Sequence, residues 1–276
     1  MLLATLFSLL PFASGPFSGG DTPGASPDGA APPAKSVKAP KKADPFAEVI
    51  RLKRQASGQS VEQKHAALTA AAKACEEVAK GALEPAVVAE AHWRAGELWR
   101  TLRHEEEARR CFSAVTGMAA ADPRLAAKAW LELGHLDRRA KRWDAAIANY
   151  RKVPGVQPEQ RRESAQSLTW QGKALLGKGA AADGHALLLA VGVRFPELPL
   201  EDIRNVDLVA CDWIEVGRVE EARELVAECV ARHTERADDG DGESGDEDAA
   251  EARAAITRAL SKMKAGKQLA EKLTQR

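Results

Sequence analysis

The chain has 276 residues, 45% of them hydrophobic and 29% charged, enough for one large domain or two small ones. Forty basic residues balance forty acidic ones, so no net charge draws the chain onto nucleic acid or an anionic membrane surface. A single Tyr, alanine-rich segments and the lack of alternating Val/Ile/Thr runs argue against a substantial sheet.

The first fifteen residues, MLLATLFSLLPFASG, form an apolar run too short to cross a bilayer as a helix. Small residues follow at Ala13-Ser14-Gly15 and Ser18-Gly19-Gly20, the order of a secretory signal peptide, although no Lys or Arg precedes the run. Residues 1–20 are therefore expected to be a signal that exports the chain to a periplasmic or extracellular compartment; without a true signal it stays cytoplasmic. No cysteine follows to carry a lipid anchor, so no stable membrane span or anchor is expected. Residues 21–44, rich in Pro, Gly and Ala, are expected to be a disordered tether.

From residue 45 the composition changes. Asp44 and Pro45 before FAEVIRLKRQA mark a short helix, with proline in its first turn. Ser60 followed by Glu62-Gln63 opens a longer alanine-rich helix to Lys80. Residues 45–84 are expected to cap one end of the repeat array that comes next, whose first unit cannot leave its apolar face bare.

That array spans residues 85–233 in four units of about 38 residues. Gly96, Gly134 and Gly172 are equally spaced, and Ala210 continues the series. Ala108, Ala146, Gly184 and Ala222 form a second column of small residues. Phe112, Tyr150, Leu188 and Val226 form an apolar column, and Val115, Val153, Val191 and Cys229 another. Each unit reads as two amphipathic helices joined by a short break, which in the second unit falls at Lys141-Arg142. Mid-helix glycine costs about 1 kcal/mol against alanine, so a glycine column marks close helix contact.

The second unit reads Trp130-x2-Leu133-Gly134-x2-Asp137, then Ala146-x3-Tyr150, then Pro158. This resembles the tetratricopeptide repeat (TPR) pattern W-x2-L-G-x2-Y, A-x3-F, P, with Asp137 in place of the Tyr. Residues 92–123 match in part, with Ala95-Gly96, Trp99 and Ala108-x3-Phe112; the third and fourth units keep Gly172, Leu175, Ala210, Trp213 and Ala222. The resemblance covers about residues 88–233. It implies an all-α fold, a right-handed α-solenoid of helix-turn-helix repeats with capping helices at both ends. The 38-residue period exceeds the family's 34 by about one helical turn.

Beyond the repeats, residues 234–248 are acidic and glycine-containing and read as a solvated loop. Residues 249–276 resume helical periodicity through Ala254, Ile256, Leu260, Met263 and Leu269, as a C-terminal capping helix. The four cysteines, Cys75, Cys111, Cys211 and Cys229, fall in helices, and a Cys211–Cys229 bridge is geometrically conceivable. Cys229 otherwise reads as a small core residue.

Motifs for chemistry fail at the decisive residues. Gly172-Lys173 to Gly177-Lys178 approaches a phosphate-binding loop, but Gly179 stands where Ser or Thr must hold magnesium and a helix precedes it. Asp239 to Glu243 starts like a calcium loop and breaks at Ser244 and Ala250. His104-Glu105 lacks the second histidine of a zincin helix, since Ala108 stands there. No catalytic residue, metal site or cofactor is expected.

A binding role is the stronger reading. The resemblance implies a concave groove lined by the first helices of the units. Helical phase puts Trp93, Glu97, Arg100, Leu131, His135, Arg138, Arg139 and Lys173 in it, beside columns continuing to Thr169, Asp207, Leu176, Cys211 and Ile214. Aromatic and Arg side chains there suit a protein or peptide ligand, an acidic one by charge. The Lys/Asn carboxylate clamp known in parts of the family is not reproduced. Glycan or lipid-linked envelope material would instead need Trp93, Trp99 and Trp130 in one slot. A homo-oligomer would need an exposed apolar patch after the last helix, and an enzyme a deep pocket with paired carboxylates.

Overall fold

A computed structural model describes residues 44–156, 160–238 and 247–274. The signal and tether expectations, the residue Pro158 and most of the acidic loop lie outside the described residues. The described residues all belong to one unit, residues 43–276, and among them no strand occurs.

Two helices precede the repeats. α1 (Ala47–Gln55) follows Asp44, whose Oδ1 accepts the Phe46 amide at 2.9 Å. α2 (Val61–Gly81) opens with a reciprocal capping box between Ser60 and Gln63, which satisfies two otherwise unpaired amides. The repeats then form four hairpins. These are α3 (Pro85–Thr101) with α4 (Glu105–Thr116), and α5 (Pro123–Arg139) with α6 (Trp143–Val156). α7 (Arg161–Lys178) follows with α8 (Ala181–Arg194), and α9 (Pro199–Glu215) with α10 (Val219–Asp238).

The predicted columns are the places where the hairpins close. A Cβ on Gly96 would stand 2.6 Å from the Phe112 ring, and one on Gly134 2.3 Å from the Tyr150 ring. On Gly172 it would meet Leu188 at 2.8 Å and the Gly184 carbonyl at 2.9 Å. Ala108, Ala146, Ala210 and Ala222 are completely buried, and so are Phe112 and Tyr150. Thus the first helix offers bare backbone, and the second lays a large side chain across it.

A further register escaped the sequence reading. Arg103, Lys141, Gly179 and Gly217, each 38 residues apart, all have positive φ, at 61°, 56°, 87° and 85°. In every unit the next amide bonds back five residues, as His104 N to Trp99 O, Arg142 N to Asp137 O, Ala180 N to Leu175 O and Arg218 N to Trp213 O, at 2.8–2.9 Å. This is the Schellman closure of a helix, which favours glycine at its left-handed residue. Two units supply glycine and two carry a strained side chain there. Replacing the exposed Lys141 by Gly should therefore stabilise the fold by about 1 kcal/mol, while Gly179→Ala should cost about as much. Denaturant midpoints measure both, and a less stable Lys141→Gly chain would contradict the turn geometry. Proline at the first helical position recurs on the same period, at Pro85, Pro123 and Pro199.

The units stack in sequence, each second helix packing on the next first helix. Among the described residues α3, α5, α7 and α9 also touch across one intervening helix, whereas α4, α6, α8 and α10 do not. The first helices are therefore crowded on the inner, concave side. Polar side chains add cross-links at the Tyr column of the pattern. Trp99 Nε1 donates to Glu76 of α2 at 2.8 Å, and Trp213 Nε1 to His185 of α8 at 3.1 Å. Asp137, 3% exposed, accepts from Arg109 of α4 at 2.9 Å, from Arg142 at 2.9 Å and from Asn149 of α6 at 2.7 Å. The departure from the family pattern is thus a polar hub joining two repeats.

The C-terminal end differs from its expectation. Helix α10 continues to Asp238, and the segment read as one helix over residues 249–276 forms two, α11 (Glu247–Ser261) and α12 (Lys264–Thr274). The break at Lys262-Met263 lets both lie on α9 and α10, burying Ile256, Met263, Ala265 and Leu269. Asp207 Oδ1 of α9 accepts the Ala265 amide at 2.9 Å and so caps α12. All four cysteines are free, so the conceivable Cys211–Cys229 bridge is not formed.

Candidate functional site

The inner face starts at a cleft of about 940 Å³ between α1, α2, α3 and the start of α5. Trp93, Glu97 and Arg100 line it, together with Lys53 and Lys64 from the capping helices and Arg124 and Lys128 from α5. Its acidic members are Glu90, paired with Arg94 at 2.5 Å, Asp122, whose carboxylate caps α5 at the Leu125 amide, and Glu97. The cations therefore outnumber the carboxylates. Val49, Leu68, Trp93 and Leu98 supply apolar wall, so the cleft is basic with a greasy floor.

The face continues along α5 and α7. Arg100 Nε faces Glu132 Oε2 at 3.4 Å, and burial raises the Glu132 carboxyl above its ordinary range. His135 Nδ1 lies 2.8 Å from the Tyr150 hydroxyl, and its ring meets Trp170 edge-on at 4.8 Å. Burial, and then the neighbouring Arg138, Arg139 and Arg100, push the His135 pKa down to about 4, so the ring is neutral at pH 7. Arg138 and Lys173 both stack on Trp170, each 4.6 Å from the ring centre. Burial also lowers the Lys173 pKa. Arg139 is exposed, with Glu105 at 3.7 Å.

Arg139 lies at the end of α5 beside Glu105 of α4, whereas Trp93, Glu97, Arg100, His135, Arg138 and Lys173 lie on this face. Leu131 does not. It is 6% exposed and packs with Ala146, Ile147 and Tyr150 in the core of the second hairpin. Beyond Trp93 its column departs from the groove: Thr169 is buried and accepts from Asn205 at 2.9 Å, while Asp207 caps α12. These positions join one unit to the next. Ile214, in another of the columns, is also buried. Trp170 was missed, though its place three residues before Lys173 on a first helix could have signalled it.

The alternatives leave their own traces. Trp99 is 5% exposed with its nitrogen on Glu76, Trp130 carries Lys152 at 3.9 Å from its ring centre, and of the three tryptophans Trp93 alone lines the cleft. Among the described residues the exposed large hydrophobics Ile50, Val61, Leu83, Val193, Val216 and Val230 lie on different helices and turns, and the residues after the last helix lie outside the described residues. Among the described residues no helix is long and apolar enough to cross a membrane.

The chain matches no family model and no curated protein sequence. A solved structure of a Podosopora anserina putative kinesin light chain with nearly identical TPR-like repeats superposes with a TM-score of 0.50. The match spans 73% of this chain and all of that one, at 14% identity. The fold is a TPR-like solenoid. A second solved structure, of a point variant of the same Podosopora anserina protein, matches at a TM-score of 0.48. It covers 68% of this chain and 97% of that one, also at 14% identity. The TPR-like hairpins place α3, α5, α7 and α9 inside, which makes the basic, tryptophan-bearing strip part of the concave surface.

Proposed function

We propose that this chain is a recognition scaffold, with no catalytic step of its own, that binds an acidic and partly apolar protein segment along its concave face. The observation that carries the reading is the cleft in which Lys53, Lys64, Arg124 and Lys128 surround the apolar side chains of Val49, Leu68 and Trp93. The ion pairs of the cleft, Arg94–Glu90 and the longer Arg100–Glu132 contact, use other cations than these four. Surplus cation beside apolar wall suits carboxylates interleaved with Leu- or Phe-like side chains. The neutral His135 and the cation-flanked Trp170 extend that surface along α5 and α7.

The test is binding of a short labelled Glu- and Leu-rich peptide, measured by fluorescence anisotropy against the same peptide with Gln for Glu. The Glu peptide should bind at least about tenfold more tightly, with an affinity that falls as salt rises. Lys64→Glu together with Arg124→Glu, both exposed and on different helices, should weaken binding by about tenfold or more and leave the melting temperature unchanged. Equal binding of the two peptides, or undiminished binding by the double variant, would remove the site from this cleft. Arg138 is a poor choice for this test, because it is half-buried and stacked on Trp170.

A further inference from the structure

Away from the concave strip, the interior of the last repeat holds a cluster unlike its counterparts. The column Val115, Val153, Val191 and Cys229 is buried throughout, and its first three members are purely apolar. In the fourth unit Cys229 is joined by His233, one turn further along α10, and by Asp202 from the first turn of α9. Their exposures are 0%, 1% and 2%, so all three sit inside the protein. One donor atom from each lies within 4.8 Å of the other two.

The hydrogen bonds within the cluster leave it incomplete. Asp202 Oδ2 receives Arg232 at 2.8 Å and faces His233 Nε2 at 2.9 Å. The other carboxylate oxygen, Oδ1, and the other ring nitrogen, Nδ1 of His233, are buried and have no partner. Unsatisfied buried groups are costly and uncommon in native proteins, and two in one cluster require an explanation. The backbone is also adapted to this carboxylate. A Cβ on Gly192 of α8 would lie 2.0 Å from Asp202 Oδ1, so only glycine leaves room for it.

We infer that Asp202, Cys229 and His233 form a binding site for a thiophilic divalent cation, zinc in the first instance. The donor set is the argument: one thiol, one imidazole and one carboxylate suit a borderline-soft cation and do not suit magnesium or calcium. Cys and His four residues apart on one helix present both donors to the same side. Tetrahedral zinc holds neighbouring donors about 3.3–3.8 Å apart, from bonds of about 2.0–2.3 Å. Side-chain adjustment of about an ångström therefore closes the cluster. Binding replaces the thiol proton, which leaves to solvent, and no oxidation or reduction is involved. Arg232 offsets the negative charge of Asp202 and keeps that carboxylate oriented, the outer-shell role that ligating carboxylates commonly need. The site would join α9 to α10 and hold the last repeat together.

Cobalt(II) and zinc(II) titrations of the purified, metal-stripped full chain under reducing conditions test this directly. Cobalt should give a visible d–d spectrum with thiolate charge transfer at one equivalent, bleached by added zinc. Zinc at about a hundred times its dissociation constant should raise the melting temperature by about 5–10 °C. Cys229→Ser should abolish the charge-transfer band, and Cys211→Ser, outside the cluster, should retain it. If the native chain shows no cobalt spectrum and no zinc-dependent rise in melting temperature, the cluster is a hydrogen-bonded core triad only. A cobalt spectrum that survives in Cys229→Ser would equally overturn the assignment. Because the deciding measurements use the native chain, a variant that fails to fold does not obscure them.

Discussion

Gly134→Ala is expected to destabilise the protein by about 2–3 kcal/mol, a large effect for a single methyl group. The new Cβ would stand 2.3 Å from Tyr150 Cε1 and 2.6 Å from Cδ1. That ring has nowhere to go. It is completely buried, its hydroxyl is held by His135 at 2.8 Å, and its own carbonyl accepts Ser167 Oγ at 2.9 Å. Inserting atoms into such a contact forces helices apart, at a typical cost of about 1–3 kcal/mol. The other units indicate how the cost can be relieved. Where the first helix carries glycine, the facing residue is Phe112, Tyr150 or Leu188; where it carries Ala210, the facing residue is the smaller Val226. Tyr150→Val alone should lose about 3 kcal/mol through its cavity. The double variant Gly134→Ala, Tyr150→Val should lose at least about 1 kcal/mol less than the sum of the two. Urea denaturation of the four proteins gives the cycle. Strict additivity, or a Gly134→Ala loss below about 0.5 kcal/mol, would show that ring and backbone are not in this contact.

Removing the polar hub should have the largest effect of any exchange outside the apolar core. Asp137→Ala leaves Arg109, Arg142 and Asn149 without the carboxylate that all three share. Deleting one partner of a buried charged cluster commonly costs about 3–5 kcal/mol. Here the Arg109 and Arg142 side chains are 26% and 51% exposed and keep some water, so about 3 kcal/mol is expected. The informative companion is Asp137→Tyr, which restores the residue of the TPR pattern. It should destabilise too, because the surroundings supply three donors and no room for a ring. Equal or improved stability of Asp137→Tyr in thermal melts would mean that the hub is incidental to the joining of the two repeats.

Much of this architecture can be read from residue order because repeat hairpins are built from near neighbours. Gly134 and Tyr150 are sixteen residues apart, and helical period alone brings them face to face across a short turn. The same locality makes the caps legible, as with Ser60 and Gln63, and the left-handed column Arg103, Lys141, Gly179 and Gly217 carries a signal of the same kind. Asp137 was visible as a departure from the pattern, but its meaning was not. Its partners come from α4, from the turn and from α6, and no single helix wheel contains all three.

The concave face shows where local reasoning ends. Helical phase settles which residues face away from the partner helix of a hairpin, yet two surfaces satisfy that condition, the open groove and the flank against the next unit. Thr169 lies on the flank and Leu131 turns into the core of its own hairpin, whereas Arg138 and Lys173 lie toward the groove. Only the packing of successive hairpins divides them, because the tilt of one unit on the next depends on contacts some 36 residues distant, such as Asn205 with Thr169. The basic cleft likewise needs α1 and α2 folded beside α3 and α5, and the cluster of Asp202, Cys229 and His233 needs α9 against α10. Residue order by itself determined the α-class, the repeat and the closure of each hairpin, through periodicity and side-chain size. Tertiary structure decided which polar side chains converge, since their meeting depends on the placement of whole helices rather than on spacing along one.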